Sequence, residues 1–361
     1  MIDFPASPIV GQTFSGGTGI LYVWDGVAWN VTSNLMLTAD RRNRIANPNM
    51  VVSQENGFTQ AAAAATGSFY SADQWAHLWT VATGSIRAGL SATGGPDGLY
   101  HCYLNILTAQ ASLSAGHYGT LRQMLEGLNI ADLLWGTAAA KQVVLRFSIM
   151  VPVSGTYCVR IANGDTTRSY VAAFSVPTAN VWQDVVVVIP GDTTGTWPTD
   201  NSRALYLDFV CGVGSTFVGV AGWQAGNFYA TAAQVNGLGT VGLFRVANVG
   251  LYADPNKIGL PPPFEAPDIA TELAKCARYW QRLSSLLCSG EYASAGGQLL
   301  TCVTFQLMRT TPTVAMLNIG YSNSSALSTN RVQTNNLTFQ ATMTATGAGW
   351  ASFDSTLNAR M

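Results

Sequence analysis

The chain has 361 residues, 18 basic and 19 acidic, for a net charge of −1; charged residues are 10% of it, where roughly 25% is usual in soluble domains. So little charge, with no basic block, argues against nucleic acid as a partner, and 48% apolar residues argue against disorder. A soluble monomer needs a better-charged surface than this, so the surface is either covered by partners or built from Ser, Thr, Asn and Gly.

The length predicts two or three domains. The start, Met1-Ile2-Asp3-Phe4-Pro5, has neither the basic nor the apolar region of a secretory signal. No window reaches the ~20 apolar residues of a membrane helix, so no membrane insertion is expected. In residues 1–38, Asp25-Gly26 stands between Ile20–Trp24 and Val27–Trp29 and predicts a hairpin turn. A module this small has no stable core of its own. It should dock onto something or oligomerise, with Phe4, Trp24 and Trp29 at or near the contact. The cluster Asp40-Arg41-Arg42-Asn43-Arg44 that follows reads as a solvated boundary.

Residues 39–258 are strand-like. Stretches 143–151, 155–161, 169–176, 181–189 and 204–210 are short and β-rich, separated by Pro152, Asn163-Gly164-Asp165, Pro177 and Pro190-Gly191-Asp192. That spacing predicts an antiparallel sandwich. Leu121–Leu134 is the one helix candidate inside it, for a turn or two. Residues 259–288 open with Leu260-Pro-Pro-Pro-Phe264, a stiff extended linker, and continue with Asp268 as an N-cap. Ile269, Leu273, Cys276, Trp280, Leu283 and Leu287 then follow at heptad spacing, predicting a helix of about 18 residues. Such a seam either packs on the sandwich or forms a three-fold neck. Residues 289–361 return to strands over 299–307, 312–319 and 337–343. The fold class expected is mainly β: a small N-terminal module, a central sandwich, a short helix and a C-terminal β domain.

Chemistry is thin. Three histidines, no H-E-x-x-H, no G-x-S-x-G and no P-loop give no catalytic set, no metal site and no cofactor. Gly237-Leu-Gly239-Thr-Val-Gly242 matches G-x-G-x-x-G but runs into a strand pattern, so it reads as a turn. Glycosidase chemistry needs two facing carboxylates. Asp165, Asp192, Asp200 and Asp208 are available, with no pairing visible. The six cysteines form no C-x-x-C and read as reduced thiols; of these, Cys276, Cys288 and Cys302 could lie near a three-fold axis and cross-link. Trp182 and Trp223 read as core, while Trp197 either is exposed or caps one end of the sandwich.

An ordered series of motifs resembles tailed-bacteriophage fibre and receptor-binding proteins. Phe4-Pro5…Val10-Gly11-Gln12 with Tyr22-Val-Trp24-Asp25-Gly26…Trp29 is similar to their N-terminal module. Asn47-Pro-Asn-Met50…Gln54-Glu-Asn-Gly57 and Ala72-Asp73-Gln74-Trp75 resemble the opening of a jelly-roll, carbohydrate-binding-like domain. Pro190-Gly191-Asp192…Trp197, Gly222-Trp223-Gln-Ala-Gly226-Asn227 and Pro263-Phe264-Glu265 are similar to its later parts. Glu272-Leu273…Cys276…Arg278-Tyr279-Trp280 resembles an E-L-x-x-C-x-R-Y-Y signature, with Trp280 where the second tyrosine stands. Met308-Arg309-Thr-Thr-Pro312-Thr313 resembles the start of the C-terminal domain.

The resemblance implies a homotrimeric virion protein, assembled in the host cytoplasm and anchored to other virion proteins through its N-terminus. A tail or collar fibre that contacts a host-surface polysaccharide during adsorption, without cleaving it, is the first expectation. A structural head or neck decoration protein and a glycan depolymerase are the alternatives. No sugar-binding residues transfer with the resemblance. The turn Asp192–Asn201 offers an aromatic with hydrogen-bonding groups, so Asp192, Trp197, Asp200 and Asn201 are the candidate ligand site, with the C-terminal tip after Gly290 as its competitor.

Overall fold

The computed structural model describes residues 4–15, 21–31, 42–82 and 85–361. Gly16–Gly19, Asp40 and Arg41 lie outside them.

Strands β1 (Thr13–Ser15), β2 (Leu21–Trp24) and β3 (Trp29–Val31) form an antiparallel sheet in chain order. The Asp25-Gly26 turn exists as a loop over residues 25–28. The Asp25 carboxylate accepts the Val27 and Ala28 N–H groups at 2.7 Å each, and Gly26 takes φ +102°, a left-handed conformation that glycine enters freely. Phe4 stacks on Trp29, their ring centroids 5.3 Å apart, beside Phe14, Tyr22 and Trp24. All the aromatics of the small module therefore gather in one cluster, only half-buried.

The central domain is a two-sheet sandwich. Its strands are β4 (Thr66–Ala72), β5 (Trp75–Thr80), β6 (Ile86–Ser91), β7 (His101–Ile106), β8 (Tyr118–Glu126), β9 (Val143–Met150), β10 (Gly155–Asn163), β11 (Arg168–Val176), β12 (Gln183–Ile189), β13 (Arg203–Val213), β14 (Val218–Gly219), β15 (Gly222–Ala225), β16 (Ala230–Thr231) and β17 (Gly242–Ala253). One sheet has the order β15-β11-β10-β13-β8-β5-β4 and the other β12-β9-β17-β7-β6. Within them, β7-β17-β9-β12 lies against β8-β13-β10-β11, the interleaving of two Greek keys that defines a jelly roll. Alternation builds the core: Val143, Leu145, Phe147 and Ile149 of β9 face Ile161, Leu207 and Phe209 of the other sheet, all 1% exposed or less. The five-stranded sheet turns the intervening residues outward. Gly237–Gly239 is a short turn leading into β17 and holds no helix N-terminus, as its strand-like sequel requires.

Leu121–Leu134 divides. Its first half completes β8, paired with both β5 and β13, and only Gly127–Ile130 (α1) and the single turn Ala131–Leu133 are helical.

The C-terminal region departs most from expectation. Asp268 caps a helix as read, taking the Thr271 N–H at 3.0 Å, but that helix, α2, covers only Ile269–Ala277. The chain then enters β18 (Trp280–Tyr292), joined by β19 (Gln298–Thr304), β20 (Thr313–Ser322), β21 (Ser324–Val332), β22 (Asn336–Met343) and β23 (Gly347–Asn358) in sheets β18-β23-β20 and β19-β22-β21. An 18-residue helix is therefore ruled out. The heptad spacing runs across two unlike elements: Ile269, Leu273 and Cys276 lie on α2, whereas Trp280, Leu283 and Leu287 lie on β18, whose period of two is interrupted by a β-bulge between Leu283 and Leu286. The seam does not exist as one face of one helix. Cys276 and Trp280 are buried at the junction with the sandwich, Leu283 packs on the C-terminal core, and Ile269, Leu273 and Leu287 are about half exposed on different elements.

Candidate functional site

The turn picked out from sequence is structural. Asp192 is 1% exposed and takes a two-pronged bond from Arg168, Nη2 to Oδ1 at 2.7 Å and Nε to Oδ2 at 3.1 Å. Trp197 is 8% exposed, donates its indole N–H to the Asp192 carboxylate and the Thr194 carbonyl, and meets Trp135 edge-on at 4.7 Å and Trp223 at 5.7 Å. It caps one end of the sandwich and offers no sugar platform. Asp200 caps the Ser202 N–H, and Asn201 exchanges two 2.8 Å bonds with Arg309, its Nδ2 donating to the Arg309 carbonyl and its own carbonyl accepting from Arg309 Nη1, tying the sandwich to the C-terminal domain. The four residues face different tasks. Trp182 and Trp223, expected in the core, are only half-buried, their indole N–H groups held by the Gly94 and Pro190 carbonyls.

The carboxylates considered for catalysis do not pair with one another. Asp165 caps Thr167, Asp192 is held by Arg168, and Asp208 is buried beside Arg122 at 2.7 Å and Arg160 at 3.6 Å. Among the described residues no His, Cys, Asp or Glu group is arranged to hold a metal.

A different surface has the makings of a site. On the outward face of the five-stranded sheet a cleft of about 480 Å³ is floored by His101, Tyr103 and Asn105 of β7, Leu243 and Arg245 of β17, and Leu90 and Ser91 of β6. Phe58 and Gln60 form one wall, Thr93 and Gly94 another. Register explains the floor. Gly89, Tyr103, Arg245 and Met150 form one cross-strand row, and Arg87, Asn105 and Leu243 the next. Gly89 is indispensable to that row, because a β-carbon there would stand 2.4 Å from the Tyr103 hydroxyl. The tyrosine ring thus lies across β6 where any side chain would displace it.

Trp182 presses edge-on against His101, with centroids 5.6 Å apart. At the rim Phe58, 59% exposed, stacks on Tyr100 with their planes 24° apart. Burial lowers the His101 imidazole to about 4, helped by the nearby Arg245 cation, so it is neutral at physiological pH. Burial raises the Tyr103 phenol, against the pull of Gln60, Arg245 and Arg87. His101 Nδ1 and Arg245 Nε are buried without a hydrogen-bond partner. Aromatic faces beside amide, hydroxyl, imidazole and guanidinium groups are what a sugar needs: ring faces for its C–H surface, donors and acceptors for its hydroxyls.

Sequence reading passed over these residues. The signal was present as alternation, His101-Cys-Tyr103-Leu-Asn105-Ile and Leu243-Phe-Arg245-Val, polar or aromatic outward and apolar inward. Which outward faces lie open and which are roofed by other chain was not readable. The other sheet's outer face, for example, is covered around Cys158, Val171 and Val210 by residues 213–230.

A second hollow of about 400 Å³ lies between Arg42–Ala46, the end of β8 and α2. Three of its cations are already taken: Arg44 by Asp132, Lys275 by Glu272 and Arg278 by Glu126.

No protein family matches the chain by sequence, and no curated protein matches it either. Solved structures resemble it loosely. The family 11 carbohydrate-binding module from Clostridium thermocellum, in complex with a β-1,3-1,4-mixed-linked tetrasaccharide, matches over 56% of this chain and 98% of its own, at 13% identity and a TM-score of 0.30. The enzymatically active domain of tailspike protein 4 of bacteriophage CBA120 matches over 53% of this chain and 22% of its own, at 10% identity and a TM-score of 0.29. A cyclase from Fischerella sp. TAU matches over 58% and 96%, at 13% identity and a TM-score of 0.34.

Proposed function

We propose that this chain is a non-catalytic, glycan-binding subunit of a bacteriophage fibre, and that the cleft on the five-stranded sheet holds the sugar. The observation that carries the reading is the cleft itself, an open face with an aromatic rim, a polar floor and buried polar atoms that lack partners. The fibre part of the proposal rests on the ordered motif series from Phe4 to Thr313. A tail or collar position, anchorage through Phe4, Trp24 and Trp29, and a homotrimer go with it.

Trimer formation draws support from the C-terminal domain. Residues 289–361 carry five charged side chains, Glu291, Arg309, Arg331, Asp354 and Arg360, while Leu300, Leu317, Ile319, Tyr321 and Trp350 are 41–53% exposed. Apolar surface in that amount is characteristic of an association face. The non-catalytic part draws support from the cleft lining, which among the described residues contains no carboxylate to act as general acid or nucleophile.

The test is adsorption of particles carrying Tyr103→Ala or Phe58→Ala, with binding of the purified chain to host polysaccharide measured in parallel. Loss of both supports the reading. Full adsorption by both variants overturns the cleft as the receptor site, and release of reducing ends from the polysaccharide overturns the non-catalytic assignment.

A further inference from the structure

The charge of the cleft selects among glycans. We propose that it takes an acidic sugar, a uronic acid or another carboxylate-bearing residue, with the carboxylate seated on Arg245. The inference rests on the glycan-binding reading and narrows it.

Arg245 differs from other arginines of the sandwich in what it bonds: Arg146 and Arg203 likewise reach no carboxylate, but they donate to the Pro262 and Gly164 carbonyls. Arg44, Arg122 and Arg168 each reach an aspartate within 2.8 Å. Arg245 reaches none. Its Nη1 lies 3.3 Å from the Met150 sulfur, a weak acceptor, and its Nε is buried with no partner. Burial lowers its affinity for its proton and no carboxylate restores it, the Tyr103 phenol being the one group that acts the other way. A half-buried guanidinium with a shielded, unpartnered Nε and no anion beside it favours a ligand that supplies one.

The surroundings reinforce this. Among the described residues the cleft lining contains no Asp or Glu. Arg87, exposed on the same face of β6, stands opposite Asn105, one row from Arg245 and on the other side of β7. Two cations therefore flank the Tyr103–Asn105 floor. His101 is neutral and contributes an imidazole nitrogen without a partner, suited to a hydroxyl next to the carboxylate. A neutral sugar would leave Arg245 without an anion, whereas a uronate supplies one. The aromatic pair Phe58 and Tyr100 at the rim is left for the next ring of the chain.

The experiment uses the full-length protein and tetrasaccharides of galacturonate, mannuronate and hyaluronan, each compared with its carboxyl-reduced form, with calorimetry as the readout. At least one acidic tetramer should bind ten-fold or more tightly than its reduced form, and the advantage should shrink as salt rises from 0.05 to 0.5 M. Arg245→Met should abolish the preference while weak binding of the reduced form persists. Arg245→Lys, which keeps the charge, should restore part of it and guards against misfolding, as do matching thermal melts. Equal binding of acidic and reduced forms, unchanged in Arg245→Met, overturns the acidic-sugar proposal and leaves the glycan site standing. Binding of no member of either set overturns both. A preference that survives in Arg245→Met places the anion elsewhere and also overturns the proposal.

Discussion

At the scale of residues, the molecule separates side chains that hold the fold from those left free to bind. Trp197 belongs to the first group: its ring fills the end of the sandwich against Trp135 and Trp223, and none of these rings lines the cleft. Trp197→Ala should therefore cost about 3–5 kcal/mol of stability, the usual range for removing a buried tryptophan. Binding in the cleft should be unchanged below the shifted melting point. Urea unfolding together with calorimetry checks both, and lost binding in a folded variant would restore the turn Asp192–Asn201 as the site. His77 makes a second case. It is fully buried with Nδ1 on the Ser71 hydroxyl at 2.7 Å, and burial lowers it to about 3. An unfolded histidine titrates near 6.5, so between those values only the unfolded chain takes the proton. The contribution of His77 is complete above about pH 6.5 and declines as pH falls toward 3, by up to about 1.4 kcal/mol per pH unit. His77→Gln should lack that slope. Parallel curves of unfolding free energy against pH for the two proteins would contradict it.

At the scale of elements, the segment read as an oligomer seam is chiefly a joint. Glu272 accepts the Asn47 N–H at 2.7 Å, Arg278 forks onto Glu126 at 2.9 Å through both Nε and Nη2, and the Trp280 carbonyl accepts from Gln54 at 3.1 Å. The residues of the E-L-x-x-C-x-R-Y-W signature thus grip those of the Asn47–Gln54 opening. The series of motifs is legible in sequence because it marks where domains meet. Arg278→Ala leaves Glu126, 1% exposed, without its cation, and should cost about 3 kcal/mol or more. The expected readout is a thermal unfolding profile split into two steps, with faster proteolysis in the proline segment 260–267. A single unshifted transition would deny the joint this weight. The helical spacing is real over Ile269, Leu273 and Cys276 of α2 and continues into β18 at Trp280, Leu283 and Leu287, where only pairing with β23 shows a strand.

At the scale of the whole molecule, burial decides which thiols can report on assembly. All six cysteines are free, five are buried, and Cys302 on β19 is exposed. Cys276 and Cys288 are each fully buried, and burial raises both thiols, so neither is available to cross-link neighbouring chains, contrary to the sequence-based expectation. Titration of the native protein with a thiol reagent should count one fast-reacting cysteine, and six after unfolding. A trimer that covers the C-terminal face should protect Cys302 as well, so a count near zero at high protein concentration, rising on dilution, would locate the interface there. Sedimentation that finds only monomer at micromolar concentration would refute the trimer.

The sequence by itself determined the β class, most strand positions in the sandwich, the turn at Asp25-Gly26, the Asp268 cap and the glycine-rich turn at Gly237. These depend on neighbours in the chain: alternation, turn residues and caps act over a few positions. It did not determine the length of α2, the fate of Trp197 or the position of the cleft. Each of these depends on which surface comes to rest against which. Pairing with β23 made a strand of residues that were spaced like a helix, and Trp135 and Trp223 buried a tryptophan placed in an open-looking turn. The outward face of β7 became a site because the tertiary structure left it uncovered and brought Phe58, Gly89 and Arg245 beside it, residues separated by up to 187 positions in the chain.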